Sequence, residues 1–85
     1  MVVAGDNGPM QHIDFTLRGE YITLDSLLKA TGLAESGGRA RMMIAEGLVR
    51  VDGQDESRKT AKIRAGQVVS LQEARISVLA DPAAA

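Results

Sequence analysis

The sequence contains no cysteine and no tryptophan, and His12 is its single histidine. Without cysteine the chain forms neither a disulfide nor a thiolate metal site, which suits a reducing compartment. One histidine with carboxylates would be an unusual zinc site, so we expect no metal and no cofactor. Ser36 and His12 are far apart in the sequence, and no carboxylate pair is placed for acid–base chemistry. We therefore predict that the protein is not an enzyme.

Aromatic side chains and long apolar runs are also scarce. Phe15 and Tyr21 are the only aromatic residues, so the core must be built from Leu, Ile, Val, Met and Ala. A chain of 85 residues allows one small domain without a deep substrate cavity. No apolar run approaches the roughly 20 residues of a membrane span, and the N-terminus lacks a signal-peptide pattern. We expect a cytoplasmic protein with no membrane partner.

Composition and periodicity divide the chain into three parts: a flexible tail over 1–11, a single domain over 12–79, and a flexible tail over 80–85. Within the domain, several segments alternate polar and apolar residues, as half-buried strands do. The predicted strands are 12–17, 49–51, 68–71 and 75–79, the last as an edge strand.

Helical spacing occurs twice between the first two strands. Thr23 is a candidate N-cap, through its hydroxyl, for a helix over 24–31, and Ser36 is one for a helix over 37–46. The short connection 32–35 predicts a helix-turn-helix unit. Asp52-Gly53, after the second helix, predicts a hairpin turn. We predict an α+β fold, with two antiparallel helices packed on a small, mainly antiparallel β-sheet.

Charge is unevenly distributed along the chain. The net charge is −1 and the pI is about 5.7. The segment 39–64 nevertheless holds seven basic and four acidic residues, a net +3. Such polarity can steer an anionic ligand to one face of an acidic protein.

The start of the second helix is the first candidate site. Its opening residues are Ser36, Gly37, Gly38, Arg39 and Arg41. Small residues leave the terminal backbone N–H groups open, and the helix dipole favours an anion such as phosphate there. The alternative is a glycine-rich helix start with two solvated arginines.

A basic run over 58–64 is the second candidate site. Ile63 is expected to anchor the run in the core and so direct its neighbours outward. The cations of the run are Arg58, Lys59, Lys62 and Arg64. Such residues bind phosphate with an affinity that falls with salt. The alternative is a solvated loop. Tyr21 is either a stacking platform for a base or a cap packed over the first helix.

Segments 24–28, 32–41, 44–53 and 63–69, in this order and spacing, resemble the RNA-binding domain named after ribosomal protein S-four. The similarity extends to the free-standing bacterial YbcJ-like branch of that family. The resemblance implies an αL RNA-binding motif that docks on structured RNA. The RNA would be ribosomal, transfer or small RNA, bound by a monomer or within a ribonucleoprotein particle.

We therefore predict a non-catalytic RNA-binding module with phosphate contacts from the start of the second helix and from the basic run. The alternative is a protein-interaction module of the same fold with little RNA affinity. The acidic pI favours this alternative. So do Thr23 and Gly37, since the wider family often has arginine at their positions.

Overall fold

The computed structural model describes residues 11–72 and 74–82. The predicted tails fall outside this range except for residue 11 and residues 80–82. Within the described residues the chain forms two helices and seven strands. In chain order they are β1 Gln11–Leu17, β2 Ile22–Thr23, α1 Leu24–Ala30, α2 Gly37–Ala45, β3 Val49–Val51, β4 Gln54–Asp55, β5 Lys62–Ile63, β6 Val68–Leu71 and β7 Ala74–Ala80. Neither of these helices is long and apolar enough to cross a membrane.

Five strands form one sheet in the order β1-β7-β6-β3-β4. Its pairs are antiparallel except β1 with β7, which run parallel from Gln11 opposite Ala74 to Leu17 opposite Ala80. The prediction that the last strand lies at an edge is wrong, because β7 lies between β1 and β6. The alternation of polar and apolar residues correctly predicted this strand. Its pairing with β1 joins segments about sixty residues apart, so neighbouring residues do not predict it.

Strands β2 and β5 form a separate two-stranded ribbon, in which Ile22 is opposite Ile63. Ile63 is 1% exposed, which confirms that it anchors the basic run in the core.

Helix α1 is held at its start by backbone groups of the basic run. The N–H groups of Leu24 and Asp25 donate to the carbonyls of Ala61 (2.9 Å) and Lys59 (3.0 Å). Thr23 occupies the predicted N-cap position, but its side chain accepts no capping hydrogen bond. Its hydroxyl donates instead to Ser26 Oγ at 2.9 Å. The predicted side-chain cap is wrong because the Asp25 N–H donates to the Lys59 carbonyl and the Ser26 N–H donates to the Asp25 carboxylate.

Helix α2 begins as the sequence predicts. Ser36 is its N-cap, and its Oγ accepts a hydrogen bond from the N–H of Arg39 at 3.1 Å. The buried residues of both helices and of one side of the large sheet form a single core cluster. Arg50 and Arg75, on the other side of the sheet, are exposed. The fully buried core side chains are Leu24, Leu27, Leu28, Ile44, Val49, Ile63, Val69, Ile76 and Val78. The α+β fold is confirmed.

The hairpin between β3 and β4 turns at Asp52 and Gly53, as predicted. Both have positive φ, 52° and 83°, as a two-residue type I′ turn requires. The Asp52 carboxylate also accepts hydrogen bonds from the N–H of Val68 (2.9 Å) and from Nε2 of Gln67 (3.2 Å). This carboxylate therefore fixes the hairpin to the turn that precedes β6.

Candidate functional site

The two predicted parts of the site meet beside Asp25, in the first turn of α1. Asp25 Oδ2 lies 3.6 Å from Nη1 of Arg41, and the Asp25 N–H donates to the carbonyl of Lys59. The same Arg41 nitrogen is 3.5 Å from where a Cβ on Gly37 would lie. The start of α2, the Arg41 guanidinium and the basic run thus adjoin one another. We call this group, formed by Asp25, Gly37, Arg41 and Lys59, the junction.

The two helix starts differ in which backbone donors remain unpaired. At α1, the N–H groups of Leu24 and Asp25 are bonded to the basic run, and that of Ser26 donates to Asp25 Oδ1 at 2.8 Å. At α2, Ser36 takes the N–H of Arg39, while those of Gly37 and Gly38 have no acceptor among the described residues. Within the described part of the chain, the start of α2 therefore presents two unpaired donors, and the α2 dipole adds positive potential there.

The fold itself does not require glycine at the start of α2. Neither Gly37 nor Gly38 has a positive φ. A Cβ would meet Arg41 Nη1 at 3.5 Å on Gly37 and Ser36 Oγ at 3.8 Å on Gly38, both ordinary contacts. Alanine would fit both positions and would favour the helix. The two glycines thus leave backbone N–H groups accessible, although the backbone conformation at these positions does not require glycine.

Within the basic run, Arg58, Thr60 and Lys62 line a shallow depression with Ala61. Arg58 is not a free cation. Its Nε and Nη2 donate to the Glu56 carboxylate at 3.1 and 3.3 Å, and its backbone N–H donates to the same carboxylate at 3.0 Å. These hydrogen bonds hold the pKa of Glu56 below its ordinary value and raise the pKa of the Arg58 guanidinium.

The other predicted cations lie in different surroundings. Arg39, Lys59 and Arg64 are exposed and have no acidic partner within 11–72 and 74–82. Lys62 places its Nζ over the Tyr21 ring, 5.0 Å from the centroid. The backbone N–H of Arg64 donates to Oε1 of Gln67 at 2.7 Å.

Sequence reasoning did not identify the acidic partners of the site. Glu56 stands two residues before Arg58, so its pairing could have been read from spacing. The contact of Asp25 with Arg41 requires the packing of one helix on the other and has no local signal. The open face of the sheet also presents Arg50 and Arg75, each opposite Ser70 in the register.

Comparison with known proteins shows which proteins this chain is similar to. The family model described as the S4 domain matches residues 15–79. YbcJ of Escherichia coli (strain K12) and YbcJ of Shigella flexneri are each 48% identical over 60 residues, which are 71% of this chain and 86% of theirs. The solution structure of E. coli YbcJ is described as revealing an αL motif involved in RNA binding. It matches with a TM-score of 0.58 and 39% identity, over 93% of this chain and 96% of that one.

Proposed function

Because the chain belongs to the S4 domain family, we propose that it is a non-catalytic module that docks on structured RNA. The solved E. coli relative has an αL motif involved in RNA binding. The observation that carries the proposal here is the junction. It sets the N–H groups of Gly37 and Gly38, which have no acceptor among the described residues, beside the basic run, while the first N–H groups of α1 are hydrogen-bonded.

One phosphate would lie at the start of α2, where the N–H groups of Gly37 and Gly38 donate to it and the helix dipole favours its charge. Arg39 and Arg41 flank this position. The ion pair of Arg41 with Asp25 is half exposed on the arginine side, so it orients the guanidinium at little cost to a competing phosphate. Further phosphates would contact the cations of the basic run, Arg58, Lys59, Lys62 and Arg64.

The proposed contacts with RNA phosphates predict an affinity that depends on the salt concentration. With about four to six phosphate contacts, log K for RNA should fall with log salt at a slope of roughly −3 to −4, because each contact with a single strand contributes about −0.7 through counterion release. Filter binding across a salt series measures this slope. An affinity that does not change with salt would contradict phosphate binding.

Two exposed cations test where the phosphates lie. Arg39→Ala and Lys59→Ala should each weaken binding to all RNA sequences alike and reduce the salt slope by about 1. Arg75→Ala is the matched control, because it removes an exposed arginine from the sheet face opposite the helices. Equal losses in all three variants would indicate a general charge effect and not this surface.

A protein-interaction module of the same fold is the second candidate. The pairing of Arg41 with Asp25 and of Arg58 with Glu56 favours it, because it partly neutralises two of the predicted phosphate contacts. Affinity capture with and without ribonuclease separates the two functions. Protein partners that persist after ribonuclease treatment support the second candidate.

The RNA itself would be ribosomal, transfer or small RNA, met in the cytoplasm by a monomer or within a ribonucleoprotein particle. Crosslinking in cells, followed by sequencing of the bound RNA, distinguishes these classes.

A further inference from the structure

Tyr21 places an aromatic ring at the surface beside the basic run. The residue is 43% exposed, and it is not among the hydrophobic residues packed against the core. Part of the ring is therefore open to solvent and accessible to a ligand. Its contact is with Lys62, whose Nζ lies 5.0 Å from the ring centroid.

The ribbon formed by β2 and β5 explains why this ring faces outward. Ile22 and Ile63 are opposite each other and pack inward. Side chains alternate along a strand, so the residues that flank this pair point to the other side. Lys62 in β5, and Tyr21 and Arg64 directly beside the ribbon, are all exposed, and Thr23 is half-buried. By this alternation Arg64 lies on the same side of the ribbon as the ring and Lys62.

We propose that Tyr21 is a stacking platform for one unpaired RNA base, with Lys62 and Arg64 contacting phosphates of the neighbouring nucleotides. The inference rests on the proposed RNA binding and specifies the ligand: a structured RNA with an unstacked nucleotide, such as a bulge. Base–aromatic stacking suits this role because every base has a π face, and unpaired RNA bases are commonly bound on aromatic side chains.

The position of Lys62 determines how the nucleotide lies. Its ammonium covers one face of the Tyr21 ring, so the base stacks on the opposite face. The cation–π contact is retained in this arrangement and orients the ring. Lys62 also lines the depression shared with Arg58 and Thr60. The stacked nucleotide therefore continues into the phosphate-binding surface of the basic run.

The composition of the chain provides a direct assay. Tyr21 is the only tyrosine and there is no tryptophan, so tyrosine emission reports on this ring alone. Three RNA hairpins serve as probes: one with a single-nucleotide bulge, the same one with an abasic bulge, and a fully paired one. The bulged hairpin should quench the emission strongly, and the other two should bind with little quenching. Equal quenching by the bulged and abasic hairpins would overturn the platform.

Two substitutions at this position complete the test. Tyr21→Leu should weaken binding of the bulged hairpin by roughly 5-fold or more, the low end of stacking contributions, and leave the paired hairpin unchanged. Tyr21→Phe keeps the ring and should keep the preference for the bulge. If the paired hairpin binds with the expected salt slope and the parent protein shows no bulge preference, only the platform fails. If no hairpin binds, RNA binding and the platform fail together.

Discussion

At the scale of single residues, the basic side chains of this protein differ in what surrounds them. Arg39 and Lys59 are exposed without an acidic partner among the described residues, whereas Arg58 donates two side-chain hydrogen bonds to Glu56. An exposed ion pair contributes little to stability, but it competes with a phosphate for the same guanidinium. Glu56 therefore limits what Arg58 can contribute to RNA affinity.

Glu56→Gln should raise RNA affinity several-fold and make the salt slope steeper by up to about 1, because it releases the Arg58 guanidinium for a phosphate. The control is Asp55→Asn, which changes the net charge by the same amount but frees Arg50 on the open sheet face. Filter binding of the two variants at several salt concentrations gives the comparison. An equal gain in both would attribute the effect to net charge alone.

The pair of Glu56 and Arg58 should also make the stability of the protein depend on pH. The pKa of Glu56 is lower in the folded protein than its ordinary value. Its contribution to stability is therefore present above that ordinary value and is lost as the pH falls through the lowered pKa. Thermal melts of the parent and of Glu56→Gln should differ at neutral pH and converge as the solution is acidified.

At the scale of elements, the two helix starts have separate roles. The start of α1 is bonded to the carbonyls of Ala61 and Lys59, so it fixes the basic run in place. The start of α2 is capped by the Ser36 hydroxyl and keeps two N–H groups unpaired among the described residues. One helix thus positions the cations and the other presents backbone donors to the ligand.

Gly38→Ala should stabilise the protein while weakening RNA binding. Alanine favours a helix over glycine by up to about 1 kcal/mol, which corresponds to a rise of several degrees in the melting temperature. The added methyl group would crowd a phosphate that approaches the backbone. A variant that melts higher but binds RNA as tightly as the parent would contradict a phosphate at the start of α2.

The control for this change is Gly32→Ala, after α1. Gly32 has a φ of +82°, which alanine adopts only with strain, so this variant should melt several degrees lower. The two alanine substitutions should therefore shift the melting temperature in opposite directions.

At the scale of the whole molecule, the sheet joins the two ends of the described chain. Strand β1 pairs in parallel with β7 over seven residue pairs, and β7 connects it to the antiparallel strands. The core between this sheet and the helices is apolar throughout, since the described residues include no buried polar or charged side chain. The site is therefore confined to surface residues on a rigid apolar support.

Ile76 lies at the centre of β7 and is 1% exposed. Ile76→Ala should cost about 2–5 kcal/mol of unfolding free energy, because it leaves a cavity in the core. The unfolding free energy of a small domain is only about 5–15 kcal/mol in total, so denaturant unfolding should show a large loss of stability. Leu79→Ala, at an exposed position of the same strand, should stay within about 0.5 kcal/mol. Similar losses in both variants would mean that β7 is not an interior strand.

The sequence by itself determined what depends on neighbouring residues. The two helices, the Ser36 cap and the Asp52-Gly53 turn follow from local hydrogen bonding and backbone preference, and the core positions follow from periodicity. The resemblance to the family also predicted the order of these elements along the chain. Local rules of this kind also identified the cations of the site as candidates, since their residue types and clustering are visible in the sequence.

Only the tertiary structure decided which groups meet. It set β7 inside the sheet, since strand pairing joins distant segments, and it replaced the Thr23 side-chain cap with carbonyls of the basic run. It also paired Arg41 with Asp25 and placed Tyr21 beside Lys62. The physical reason is common to all four: a hydrogen bond or charge contact goes to the partner that folding brings closest, and that partner is often remote in sequence.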